Sequence, residues 1–173
     1  MLYCKMAQII CCLIVVTACG FQPVFKEKGG SILKNDLRYI EISPIADRIG
    51  QKLRNHLVHE ITPFGKSQVP RYRLAVTLSE AKQNLAIKKS EVATRANLRF
   101  SAHYKLIKKS NGRVLIQGKS NMITSFNILT ESFSTMIAEK NARARAIREI
   151  SSDIGLKIAS FFKNNEALNG KRE

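Results

Sequence analysis

Ala96-Asn97-Leu98-Arg99-Phe100-Ser101-Ala102-His103-Tyr104-Lys105-Leu106 alternates apolar and polar residues without a break. Successive side chains of a strand point to opposite faces. One face therefore carries Ala96, Leu98, Phe100, Ala102, Tyr104 and Leu106, with Val92 extending it. The other carries Arg95, Asn97, Arg99, Ser101, His103 and Lys105. An apolar face backed by a polar, basic one is the pattern of an antiparallel sheet covered on one side only.

The flanks repeat the pattern. Asn111-Gly112 predicts a two-residue type I′ hairpin turn, in which both central residues need positive φ. The return strand places Val114, Ile116, Met122 and Phe126 on one side. Upstream, Tyr72, Leu74, Val76 and Leu78 alternate with Arg71, Arg73, Ala75 and Thr77. Leu37 to Ile42 reads as a further short strand, rich in aromatic and β-branched residues.

Two segments change to helical period. Ser43-Pro44 predicts a helix start, with Ser43 as the N-cap and Asp47 in the first turn. Ile45, Ile49, Leu53, Leu57 and Ile61 then recur every four residues, and Thr62-Pro63-Phe64-Gly65 ends the helix. A last helix is expected over about 135–163, with Ala138, Ala142, Ala146, Ile150, Ile154 and Ile158 as its stripe. Its small residues allow close approach to a sheet. The order β-α-β-β-β-α has two amphipathic helices and one apolar sheet face to cover. The expected fold is α+β: a two-layer sandwich of two helices on one face of a four-stranded, mostly antiparallel sheet. The first strand enters a helical crossover, so a parallel pairing would make the sheet mixed.

The N-terminus reads differently. Lys5 is the only charge before the apolar run Ile9 to Val16, and Val16-Thr17-Ala18-Cys19 follows. A basic start, a short apolar core and small residues are the marks of an export signal. The core is well short of the ~20 residues that span a bilayer. Val-Thr-Ala-Cys resembles the bacterial lipobox, which implies lipidation at Cys19. All four cysteines, Cys4, Cys11, Cys12 and Cys19, lie at or before that point, so cleavage leaves a domain without a free thiol or disulfide. By the lipoprotein sorting rule, Gly20 implies passage to the outer membrane. The expected organisation is a lipoprotein signal peptide over 1–18, a lipidated Cys19 and flexible tether over 19–35, a sandwich domain over 36–163 and a polar tail over 164–173.

Lys and Arg number 29 against 13 Asp and Glu, a formal charge of +16. The partner expected is anionic. Export argues against nucleic acid and toward lipid phosphates, lipopolysaccharide or acidic wall polymers. On a plainer reading the charge only keeps an envelope domain soluble. The sequence shows no catalytic constellation, no cofactor motif and no phosphate-binding Gly-rich loop. His56 and His59 lie three apart on the first helix, with no third metal ligand at recognisable spacing. The expectation is a protein that is not an enzyme and holds no metal or cofactor.

Cys19-Gly20-Phe21-Gln22-Pro23-Val24-Phe25 resembles the Cys-Gly-Phe-x-Pro-aromatic start of the LptE family of lipopolysaccharide-assembly lipoproteins. Arg48-Ile49-Gly50-Gln51-Lys52-Leu53 is similar to that family's Gly-x-x-Leu helix, and the last helix follows its pattern. The chain departs from it at Phe25, where Tyr is common, at Asn141, where an acid is common, and in its high charge. The resemblance implies the same two-helix, four-strand fold. It also implies an outer-membrane lipoprotein that plugs and helps to assemble the barrel inserting lipopolysaccharide, an LptD-type partner, and that contacts the glycolipid. The basic residues expected to make that contact are Arg95 and Arg99 on the strand face and Lys88 and Lys89 at the preceding turn. The alternative is a basic, lipid-anchored periplasmic adaptor that binds wall polymer or another envelope protein.

Overall fold

The elements run β1 (Ile40–Ile42), α1 (Asp47–Ile61), β2 (Tyr72–Ile87), β3 (Ala93–Lys108), β4 (Val114–Asn127) and α2 (Ser132–Asn169). They come from a computed structural model that describes residues 36–63, 65, 67–87 and 93–169. Cys19, Val92, Lys88 and Lys89, with the signal and tether, lie outside the described residues.

The alternating stretch forms β3, at the inside of a sheet ordered β1-β2-β3-β4. β1 runs parallel to β2, while β2–β3 and β3–β4 are antiparallel, so the sheet is mixed. The apolar phase of β3 is buried throughout: Ala96, Leu98, Phe100, Ala102, Tyr104 and Leu106. Register aligns Leu74 with Leu106 and Val76 with Tyr104, so β2 adds to the same face. Both helices cover that face. α2 lies on β3 and β4, and α1 lies beside α2 and against β1. Leu53, Leu57 and Ile61 of α1 and Ala142, Ala146, Ile150, Ile154 and Ile158 of α2 complete one core. Fully burying a side chain such as Phe100 or Leu53 is worth about 1.5–3 kcal/mol.

Four local expectations are corrected. First, residues 36–38 form a helical turn, and the strand begins only at Ile40. Second, Ser43 does not cap α1. Its N–H donates to the Leu74 carbonyl at 3.0 Å, which continues the parallel ladder. Ile45 is then packed into the core and the helix starts at Asp47, with no side-chain cap from Ala46. The Gln51 side-chain amide donates to the Ile45 carbonyl and fixes this corner. Third, the Asn111-Gly112 turn is not type I′. Only Gly112 has positive φ (68°), and the Gly112 N–H donates to the Lys108 carbonyl at 2.9 Å. Asn111 keeps an ordinary φ and accepts the Arg113 N–H on its side chain at 3.1 Å, so the loop is wider than two residues. Fourth, Val114 is exposed rather than on the core side. A bulge between Leu106 and Ile107 sets Leu106 opposite Ile116 and Ile107 opposite Val114, leaving Leu115 as the extra residue.

α2 is also longer than expected at both ends. Thr135 is inside the helix and donates its hydroxyl to the Leu129 carbonyl at 3.1 Å, so the first turn forms ahead of it. Past Lys163 the helix runs on to Asn169, through Glu166, Ala167 and Leu168, all good helix formers. Tyr72 meets Phe162 edge to face at 5.1 Å and pins the end of α2 to the start of β2.

Candidate functional site

Two surfaces carry the chemistry. The first is the uncovered face of the sheet. Arg73 on β2, Arg95, Arg99, His103 and Lys105 on β3, and Lys119 on β4 all project from it and are exposed. Arg95 and Arg99 stand on this face as expected. Between these cations lies a row of hydroxyl and amide groups. The Ser101 hydroxyl donates to Asn121 Oδ1 at 3.0 Å and the Ser125 hydroxyl to Asn97 Oδ1 at 2.7 Å. Glu41 at the β1 edge is the only carboxylate on the described strands of this face, and it is held by Lys109 at 2.8 Å. That hydrogen bond, against a small burial effect and helped by nearby Arg73 and Arg54, lowers its pKa. No carboxylate pairs with Arg95, Arg99, Lys105 or Lys119 among the described residues.

The second surface lies on the helix side and follows from lengths. β2 and β3 have 16 residues each, about 53 Å of strand at ~3.3 Å per residue. α1 has 15 residues and is only about 22 Å long. It lies beside α2 and against β1, which pairs with Tyr72–Leu74 at one end of β2, and is too short to follow the whole sheet. Further along β2 the inward positions become charged: Glu80 opposite Phe100 and Lys82 opposite Leu98. Two residues on α2 answer them. Arg143 Nε donates to Glu80 at 2.8 Å, its Nη2 donates to Glu139, and Lys82 donates to Glu139 at 2.9 Å. Burial of Glu139 pushes its pKa up, but the bonds and charges of Lys82 and Arg143 outweigh this and the net shift is downward.

Beside the network opens a cleft of about 380 Å³, between the start of α1 and the first half of α2. Arg48, Lys52, Lys140 and Arg143 rim it, with Asp47 and Glu80 as its acids and Ile49, Ala144 and Ile147 as its apolar wall. Asp47 has φ of 65°, a left-handed conformation that Asp tolerates better than most residues. Asp47, Arg48 and Ile49 of the first turn of α1 line this corner, and Ala46 gives that turn no side-chain cap.

Sequence reasoning missed the cleft and its network. The available signal was phase: Glu80 and Lys82 continue the alternation of Leu74, Val76 and Leu78, so they had to point under the helices. His56 and His59 are on α1, half-buried and exposed, and His103 is on the open face. Among the described residues no three His, Cys, Asp or Glu side chains gather as a metal site. No described helix is long and apolar enough to cross a membrane.

Comparison with known proteins bears on this arrangement. Residues 37–160 match the family model described as "LptE: Lipopolysaccharide-assembly". An uncharacterised Rickettsia prowazekii protein is 25% identical over 154 residues, covering 89% of this chain and 94% of its own. A candidate lipoprotein of Caulobacter crescentus has a similar structure, with TM-score 0.63 and 20% identity over 78% of this chain and 98% of that one. The rare lipoprotein B of Shewanella oneidensis gives TM-score 0.50 and 9% identity over 76% and 98%. At these identities the two structures share the fold.

Proposed function

The chain belongs to the LptE lipopolysaccharide-assembly family, and from that premise we propose that it is anchored at Cys19 in the outer membrane and plugs the barrel that inserts lipopolysaccharide. In this reading it assists assembly of an LptD-type barrel and contacts the glycolipid through Arg95 and Arg99, together with Lys88 and Lys89, which lie between β2 and β3 in the sequence. Family membership supports a lipopolysaccharide-assembly lipoprotein in general. The observation carrying the finer reading is the open sheet face, where exposed cations stand with no carboxylate but Glu41 on the described strands. Lipid A phosphates accept charge-assisted hydrogen bonds from such groups. The polar face also suits the lumen of a large barrel, which is itself polar, and an acyl anchor with a protein contact gives durable attachment.

The test is a mild-detergent pull-down of the full chain from outer membranes, with mass spectrometry of its N-terminus and partners. A large barrel protein and an acylated Cys19 are expected. An acylated chain that brings down wall polymer and no barrel would replace this reading with the adaptor. An unprocessed N-terminus would remove the anchor. Separately, charge reversal at Lys88, Lys89, Arg95 and Arg99 should weaken lipopolysaccharide binding at least tenfold; unchanged binding would sink the assigned contact.

A further inference from the structure

The geometry points to a second ligand site on the helix side of the sheet: the cleft between α1 and α2 holds one phosphorylated acyl lipid, phosphate inward and chain along the start of α2. Three cations on its rim, Arg48, Lys52 and Lys140, are exposed and pair with no carboxylate among the described residues. The fourth, Arg143, is held in place by Glu80 and Glu139, so it is a fixed charge rather than a free one. The uncapped first turn of α1 adds backbone N–H donors and the positive end of a helix dipole. The cleft is about 380 Å³, and its wall of Ile49, Ala144 and Ile147 is apolar. A hydrated inorganic ion gains nothing from such a wall.

The helix beyond the cleft explains the acyl chain. Lys140, Met136 and Phe133 lie at i, i−4 and i−7, one face of α2. Phe133 is 69% exposed and Met136 57%. The start of α1 meets α2 at Lys140, Arg143, Ala144 and Ile147, and both residues precede that stretch of α2. A charged cleft with two exposed apolar side chains one and two helical turns beyond its Lys140 rim matches a ligand with a phosphate head and a hydrocarbon tail. The site lies on the opposite face of the sheet from Arg95 and Arg99, so it stands independently of the contact proposed above.

Native mass spectrometry of the full chain in a nonionic detergent tests it, with dihexanoyl phosphatidic acid, dihexanoyl phosphatidylcholine and inorganic phosphate as probes. Phosphatidic acid should be retained at least tenfold over phosphatidylcholine. R48Q/K52Q/K140Q should lose that preference, F133S/M136S should weaken retention, and R95Q/R99Q should leave it unchanged. Equal retention of both lipids, full retention by the triple variant, or loss only in R95Q/R99Q would overturn the site. Competition by inorganic phosphate at the concentration of the lipid, or an unaffected F133S/M136S chain, would overturn the acyl half. Hydrogen exchange on the unmodified chain gives a reading free of folding effects. Phosphatidic acid should protect amides 47–52, and no protection there would reject the proposal.

Discussion

Thr124 is buried under α2 on the inward side of β4, and its Oγ1 has no hydrogen-bond partner among the described residues. Leaving such an atom unpaired costs about 1–3 kcal/mol. Thr124→Val keeps the shape and removes the hydroxyl. Urea unfolding should show it more stable by about 0.5–1.5 kcal/mol; a loss would mean the hydroxyl is satisfied. Gly118 presents the opposite case. A Cβ there would stand 2.5 Å from the Tyr104 hydroxyl and 2.8 Å from its ring carbon Cζ. Tyr104 crosses to β4 opposite this glycine, and only the missing side chain leaves it room. Gly118→Ala should cost about 1–3 kcal/mol through overpacking. Thermal unfolding of G118A, Y104L and the double variant should show coupling between the sites; strict additivity would place the strain elsewhere.

Between elements, the Glu80–Arg143–Glu139–Lys82 network is what fastens the first half of α2 to β2. Apolar packing cannot do so there, because the inward residues of β2 are charged. Glu139 has its pKa lowered in the fold, and so does Asp153. Burial pulls Asp153 up, but hydrogen bonds from Lys157 and Ser120 and the Lys157 charge bring it lower. A depressed carboxylate contributes stability above its unfolded pKa and loses it as pH falls through the folded value. The stability contributed by these two carboxylates should therefore be level above about pH 5 and decline below it. Glu139→Gln should cost about 1–2 kcal/mol at pH 7, and its deficit should shrink as pH falls through the lowered folded pKa and the native carboxyl takes up its proton. A deficit that stayed constant with pH would show that Glu139 acts by packing alone. The alternation of β3 and the four-residue stripe of α1 were legible in the sequence, since each reports one element's own period. The start of α1 was not, because Ser43 faced two uses. The sheet took its backbone N–H, and a helix cap there would have required leaving the ladder.

For the whole molecule the charge of +16 matters through its distribution. Four of the described acids are drawn into pairs: Glu80 with Arg143, Glu139 with Arg143 and Lys82, Asp153 with Lys157, and Glu41 with Lys109. The cations of the open face are left to the solvent. Attraction by such a face is screened over about 8–10 Å at ordinary salt. Association of the chain with lipid A vesicles should then weaken at least about tenfold from about 50 to about 500 mM salt. A flat salt response, measured by flotation, would show that apolar contact dominates and not the basic sheet face.

By itself the sequence determined the order of the main elements, the inward faces of β3 and α1, the two-layer arrangement and the basic character of the exposed strand face. All of these follow from side-chain period, and period is written locally. Tertiary structure alone decided the bulge that turns Val114 outward, the wide Lys108–Arg113 loop and the cleft. Each depends on residues far apart in the chain. The bulge needs the β3–β4 register. The cleft needs the short reach of α1 against a sheet more than twice as long, and the meeting of Glu80 with Arg143, 63 residues away. No single stretch of sequence carries that distance.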